Sequence, residues 1–450
     1  MKTIDRLAVV LLVGAVLAGC SSSPGSSSPI SPTPTVPPTT LPSVTPTNPV
    51  AELAMSNVAR DVADPSLAKS AASAANAFGL DLFAKLRAGA SAGNLVFSPT
   101  SIAIALAMAR AGARGETATQ MDTVLDNLGS DDQAAAINAL DAALNSRSGT
   151  YQDYDGKSYD LTLSVANAPF AQRDEQWQQA FLDALAQRFG AGLRLVDYKS
   201  DPDSARVQIN QWVSDQTNGR IPELISQGML DTLTRLVLVN AIYLKAPWAQ
   251  PFDPNATQQL PFTTLAGSSV TVPTMALTSE LSYASGKGWQ AVDLPYVGNK
   301  LGLTIILPDD LNSFAQTLNA NTFDQITLAL KPSEVELTLP RFGTQTMADL
   351  SSMLGQLGMP MAFDPNKADF SGMTTQEQLY IAFVIHQANI TVDEKGTEAA
   401  AATAVGMSAT AMPTQIAKMH VDHPFLFALR DYDTGAVLFL GQITDPSATS

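Results

Sequence analysis

Four side chains in this 450-residue chain could ligate a soft metal or act as nucleophile or base near neutral pH: Cys20, His386, His420 and His423. They form no constellation. Cys20 has no second cysteine to pair with, and hundreds of residues separate it from the nearest histidine. No His-Glu-x-x-His occurs, and three scattered histidines make a poor zinc set. The Gly-x-Ser-x-Gly of an α/β-hydrolase nucleophile is absent. Gly286-Lys287 lacks the upstream glycine and the hydroxyl of a phosphate-cradling loop. Asp153, Asp155 and Asp160 gather near Gly156, but their spacing fits no calcium loop, and they read as a solvated surface turn. No cofactor and no metal is therefore expected, and an enzyme has no set of groups to work with. His386 alone stands in an unusual place. In a strand over Tyr380 to Val392 it shares a face with Ala382, Val384, Ala388, Ile390 and Val392, the only ionisable member of an apolar row. A buried imidazole needs hydrogen-bond partners, so it reads as a satisfied core histidine, with a catalytic or metal-binding role as the alternative.

Charge and composition restrict the class further. The formal charge of −16 and a pI near 4.5 would repel phosphate backbones, so nucleic acid is not expected as a partner. Hydrophobic residues at 45% are too many for a disordered chain, and most of it should fold. The start is different. Lys2 and Arg6 precede an apolar run from Leu7 to Leu17, which ends in Leu17-Ala18-Gly19-Cys20. This is a signal segment over 1–19, too short to span a membrane as a mature helix. It resembles the lipobox at which bacterial lipoproteins are cut and acylated, which makes Cys20 the lipidation site. From there to about residue 51 the chain is uncharged and dominated by Ser, Pro, Thr and Gly. Residues 20–65 are accordingly expected to be a lipidated, disordered tether that reaches up to ~90 Å when extended. The folded part would be 66–446, followed by a tail over 447–450, and it would work outside the cytoplasm, held to a membrane by its lipid.

Within the folded part, helix and strand patterns mix without an internal repeat. Phe78, Leu82 and Leu86 predict a helix over Ala68 to Leu86, and Ser98-Pro99 introduces a second over Ser101 to Ala111. Trp177 to Phe189 is helical as well. Strands are predicted at Leu161 to Val165, Leu236 to Leu244, Leu301 to Leu307, Val335 to Leu339 and Tyr380 to Val392. A final hairpin pairs Phe425 to Leu429 with Val437 to Gln442 around Asp433-Thr434-Gly435.

Four stretches carry a resemblance. Asn94 to Ser101 (NLVFSPTS) resembles the early motif of the serpins, inhibitors of serine proteases. Leu238 to Lys245 (LVNAIYLK), followed by Trp248 and Pro251-Phe252, resembles their central strand and its exit. Thr391 to Ala401 (TVDEKGTEAAA) is similar to the serpin hinge, and Asp422 to Phe427 (DHPFLF) to the strand beyond the bait loop. The resemblance runs in order from about residue 70 to 446. It implies one α+β domain of three β-sheets and eight or nine helices with an exposed reactive loop, where length alone would allow two or three domains. By matched motif it assigns Glu394, Gly396, Thr397, Glu398, Ala399, Ala400, Ala401 and Ala402 to the hinge. Ser98, Ser101, Asn240 and His386 fall on the family's hydrogen-bonded shutter beneath the main sheet, and Trp248 on the breach where the loop enters. The implied partner is a target serine protease held covalently by a monomeric inhibitor. The alternative is a non-inhibitory serpin that acts as a binding or carrier protein.

By propensity alone Thr397 to Ala404 would be a short helix or surface loop. The resemblance requires instead that it can enter a sheet, a change of state that is a known property of serpins. These residues allow it. Thr397, Ala399, Ala401, Thr403 and Val405 would face the core, all small and uncharged, while Glu398 would face outward. No proline lies between Lys395 and Met412 to interrupt a new ladder. A strand from Thr397 to Thr410 would be ~46 Å long at roughly 3.3 Å per residue. Counting from the hinge as the family does places the reactive bond at Thr410-Ala411, within a window from Met407 to Pro413 that has no Arg or Lys. An elastase-like or subtilisin-like target, with a shallow apolar pocket, is expected over a trypsin-like one.

Overall fold

A computed structural model describes residues 51–89, 93–152, 156–397 and 416–448, and all of them belong to one compact unit. Cys20, Asp153, Asp155, Glu398, Ala399, Ala400, Ala401, Ala402, Thr410 and Ala411 lie outside the described residues.

One large sheet organises the molecule. In spatial order it contains β1 (Glu52–Ala54), β5 (Leu193–Val196), β4 (Ser158–Gln172), β6 (Leu236–Pro247), β14 (Gly396–Thr397), β13 (Phe383–Asp393) and β12 (Phe342–Asp349), with β3 (Gly149–Gln152) hairpinned onto β4. A second ladder runs β15 (Ala417–His420), β11 (Lys331–Pro340), β8 (Ser269–Gly286), β9 (Trp289–Pro295), β10 (Leu301–Pro308), β16 (Phe425–Asp431), β17 (Val437–Ile443) and β2 (Leu95–Phe97), with β7 (Gln258–Thr263) on β8. The strand β8 is shared: its first half pairs with β7 and its last residues with β9, so this ladder folds into two sheets and the domain has three. Among the described residues there are nine α-helices: α1 (Ala68–Gly89), α2 (Pro99–Arg110), α3 (Gly115–Val124), α4 (Ala134–Asn145), α5 (Gln179–Phe189), α6 (Pro202–Gln216), α7 (Leu311–Thr317), α8 (Ala320–Ala329) and α9 (Ser351–Leu357).

The large sheet is covered on both faces, which explains how its strands read. On β6, Leu236, Leu238, Ile242 and Leu244 enter the main core, while Val237, Val239 and Ala241 pack in a second core with Ile209 and Val213 of α6. Such a strand is apolar throughout instead of alternating. The same holds for the second half of β4, which continues to Gln172 where alternation predicts an end near Val165. The helix after Ser98 begins at Pro99, two residues before the predicted start, because the Ser98 hydroxyl caps it by accepting from the Ser101 N–H at 3.3 Å.

The tether boundary at residue 65 is corrected. Ala51 is buried and β1 pairs antiparallel with β5, where Gly192 leaves room for the Ala54 carbonyl. Ser56 donates to Asp183 at 2.5 Å, and Arg60 donates to Asn138 and Asp141 of α4, each at 2.7 Å. The folded body thus begins by Ala51. A three-residue strand followed by isolated polar anchors has no periodicity to detect, which is why composition sets the boundary too late.

The parallel strands β6 and β13 bond directly from Val237 and Phe383 to Ile242 and Ala388. Beyond Ala388 they part, and β14 lies between them.

Candidate functional site

The site is the upper end of the gap between β6 and β13, together with the polar cluster where the two strands still touch. After β13 the chain turns through Glu394 and Lys395, whose amide donates to the Asp393 side chain at 2.8 Å. It then enters the gap as β14. Gly396 pairs with Pro247 and Asp393, and Thr397 with Ala246 and Val392, antiparallel to both neighbours. Gly396 has φ +146°, and a Cβ there would lie 2.2 Å from the Ala246 carbonyl oxygen, so no other residue fits the pivot. The Thr397 side chain is buried, and its hydroxyl hydrogen-bonds the Tyr296 hydroxyl at 2.6 Å.

The entrance is built around Trp248. Its ring stacks on Tyr296 with centroids 4.5 Å apart, and its indole N–H donates to the Asp393 carbonyl at 2.9 Å. Its backbone N–H donates to the Lys395 carbonyl at 2.9 Å, and that of Phe252 to the Glu394 carbonyl at 2.9 Å. The Glu394 carboxylate is buried and accepts from Arg341 Nε at 2.8 Å, from Arg341 Nη2 at 2.6 Å and from the Thr257 hydroxyl. Burial works against its charge, but the hydrogen bonds from Arg341 and Thr257 outweigh this and hold the carboxyl below its ordinary range.

Below the entrance the structure brings Ser98, Ser101, Asn240 and His386 together. His386 is fully buried with both ring nitrogens engaged. The Ser98 N–H donates to Nε2 at 3.1 Å, so Nε2 carries no proton, and Nδ1–H donates to the Asn240 side-chain oxygen. The Asn240 amide donates to the Ser101 hydroxyl and to the Asn167 side-chain oxygen, and the Ser101 hydroxyl donates to that same oxygen at 3.0 Å. Burial pushes the imidazole pKa down to about 3, so it is neutral across the physiological range. The network crosses the boundary between β6 and β13 and fastens both to the start of α2. It is a polar clasp on two strands that would have to separate to admit a third.

Asn167, Tyr296, Arg341 and Thr257 join these clusters without having been singled out in the sequence. Asn167 carried a signal, since it is a lone amide in the small and apolar run of β4, the same kind of anomaly as His386 in β13. The other histidines lie elsewhere: His420 meets Thr338 at 3.1 Å, and His423 meets Asp422 at 2.7 Å and the Pro308 carbonyl at 3.0 Å. Among the described residues no three His, Cys, Asp or Glu side chains group so as to hold a metal ion.

Residues 73–446 match the profile of a family described as Serpin (serine protease inhibitor). The chain belongs to the serpin family. Among similar serpins, the human leukocyte elastase inhibitor is 36% identical over 386 residues, covering 83% of this chain and 99% of its own length. The leukocyte elastase inhibitor of Xenopus laevis is 36% identical over 383 residues, with the same coverage. Of solved serpin structures, the native state of the thermophilic serpin tengpin superposes with a TM-score of 0.76 at 27% identity, over 88% of this chain and all of that one. Native protease nexin-1 with heparin gives 0.73 at 30% identity, over 85% and all of it. The serpin fold accounts for the three sheets and the nine α-helices found among the described residues.

Proposed function

We propose that this serpin inhibits serine proteases of elastase-like or subtilisin-like specificity as a suicide substrate, trapping the acyl-enzyme by inserting its cleaved loop into the large sheet. The observation that carries the reading is β14: two hinge residues already sit between β6 and β13 in antiparallel register, with Thr397 buried. Continued residue for residue, that register brings Thr403 between Asn240 and His386, and Met407 opposite Leu236 at the far end of β6. A strand of 396–407 would then fill the gap, ~40 Å long at roughly 3.3 Å per residue, and anything bonded beyond it would hang off the opposite pole. Thr410-Ala411 lies just past this limit and within the window from Met407 to Pro413.

In the reaction, the protease serine oxygen attacks the carbonyl carbon of Thr410. The C–N bond to Ala411 breaks, the new amine of Ala411 takes a proton from the protease histidine, and an ester joins the two proteins. Insertion then drags the protease along the body before water can attack. A displacement of its triad by even ~1 Å costs on the order of 10²-fold in rate, so the ester persists. The preference for a shallow apolar pocket rests on the absence of Arg and Lys from the window and agrees with the name carried by the leukocyte elastase inhibitors. We place the inhibitor, as a monomer, outside the cytoplasm of a bacterial cell, held to the membrane through acylated Cys20 and the 21–50 tether.

The test is incubation of the protein with elastase-like, subtilisin-like and trypsin-like proteases, followed by denaturing electrophoresis and mass measurement of the small carboxy-terminal fragment. An adduct with the first two, and a fragment beginning within 408–413, are expected. Cleavage without any adduct would overturn the reading in favour of a substrate-like, non-inhibitory binding serpin.

A further inference from the structure

Near its other edge the large sheet has a second opening. The parallel strands β4 and β5 pair only where Phe170 to Gln172 meet Arg194 to Val196. Before these residues the strands part, and a cavity of about 230 Å³ lies in the opening, between Val165, Asn167 and Ala168 on one side and residues 190–192 on the other. Much of its wall is apolar. Leu53 and Met55 line it while 48% and 47% exposed, and the buried Met108 and Phe189 join them.

The same wall carries donors that lack acceptors. Arg194 stands opposite Leu53 in the β1–β5 ladder, and its guanidinium carbon lies 4.9 Å from the centroid of the Trp212 ring of α6. It is half-buried, yet it pairs with no carboxylate among the described residues. Burial lowers its pKa, and no neighbouring charge acts against this. The Trp212 indole N–H is buried and has no acceptor. The Asn167 oxygen already accepts from Asn240 and Ser101, which leaves its NH2 group to donate. The carboxylate on the wall, Asp141, is held by Arg60 at 2.7 Å and Asn145 at 2.9 Å. Native proteins pair their buried polar groups, so an unpaired cation and an unpaired N–H beside apolar surface call for an acceptor from outside the chain.

We propose that this cavity binds a small amphiphilic carboxylic acid of the fatty-acid type, with its carboxylate on Arg194 and the Trp212 N–H and its chain along Leu53, Met55, Met108 and Phe189. A planar guanidinium matches a carboxylate better than any other single side chain does. The chain would cover Leu53 and Met55, apolar side chains that the protein leaves half-exposed. The volume lies below the roughly 300–1,000 Å³ of pockets for drug-sized ligands, which suits one short chain and excludes a bulky ring system. Both β4 and β6 stand between this opening and β14, so binding here does not depend on what the loop does.

The test is titration calorimetry of the full chain carrying Cys20→Ser, so that no acyl group competes, with decanoate, decanol and decylamine below their aggregation limits. Decanoate should bind at least about tenfold more tightly than either of the others. This order would hold against the net charge of −16, which favours the amine. Arg194→Met should weaken decanoate roughly ten- to a hundredfold and leave decanol within about twofold, and Arg194→Lys should recover part of the loss. Trp212→Phe, which keeps the ring and removes the N–H, should weaken decanoate about two- to tenfold. Leu53→Ser should weaken decanoate and decanol alike. Equal affinity for the three head groups, no binding of any of them, or a decanoate affinity indifferent to Arg194→Met would overturn the proposal. Should Arg194→Met fail to fold, the head-group order in the parent and the response of Trp212→Phe decide the matter.

Discussion

Acid should unfasten the large sheet through one residue. His386 is fully buried, and its Nε2 accepts the Ser98 N–H, so a second proton on the ring would set two N–H groups against each other in a site with no carboxylate partner. Burial takes its pKa from an ordinary 6.5 to about 3. The unfolded chain binds the proton at the higher pH. The contribution of the neutral ring is therefore complete above pH 6.5, declines as the pH falls below it, and is exhausted near pH 3. At about 1.4 kcal/mol per pH unit, the loss by pH 5 is ~2 kcal/mol. The assay is the free energy of denaturant unfolding at pH 7.5 and pH 5.0 for the parent and for His386→Gln, in which the exposed carboxylates common to both cancel. The parent should lose about 2 kcal/mol more than the variant over this interval. Equal losses would refute the assignment of the clasp to a neutral His386.

Three further outcomes are expected. Thr397→Arg should turn an inhibitor into a substrate, because the buried seat beside Tyr296 cannot accept an unpaired guanidinium; unchanged stoichiometry of inhibition would count against the hinge. Glu394→Gln should cost roughly 1–2 kcal/mol, a figure kept low because Arg341 is 44% exposed, and should raise the rate of polymer formation on a native gel; an unaltered rate would show that this ion pair does not restrain the top of the gap. A chain begun at Ser66 should be about 1–3 kcal/mol less stable than one begun at Ala51, since Asp141 loses the cation that offsets its burial and β5 loses its edge partner; equal stability would return residues 51–65 to the tether.

How much of this was legible in the sequence depends on whether the cause is local. The last hairpin could be read from Phe425 to Gln442 because two apolar runs flank an Asp-Thr-Gly turn, and it closes as β16 and β17. His386 announced its burial through the apolar row it shares, and four of its five companions there, Val384, Ala388, Ile390 and Val392, are fully covered. The names of its partners came only with the family resemblance, because they are brought by α2 and β6. Asn167 was missed for the same reason: the register of β4 on β6 sets it opposite Asn240, and nothing nearby in the chain encodes that register. Likewise Glu394 gave no hint of Arg341 or Thr257. Local propensity misleads at Thr397, where an alanine-rich run favours helix, yet two flanking strands offer free ladder groups and impose a strand.

The most direct test of the central claim, that the gap between β6 and β13 takes up the loop, is the melting temperature before and after one cut between residues 398 and 413. About ten new ladder bonds at ~1 kcal/mol each, at roughly 2 °C per kcal/mol, give a rise on the order of 20 °C. A cut protein that melts at the temperature of the intact one would mean that no strand was added, and that the trap does not operate.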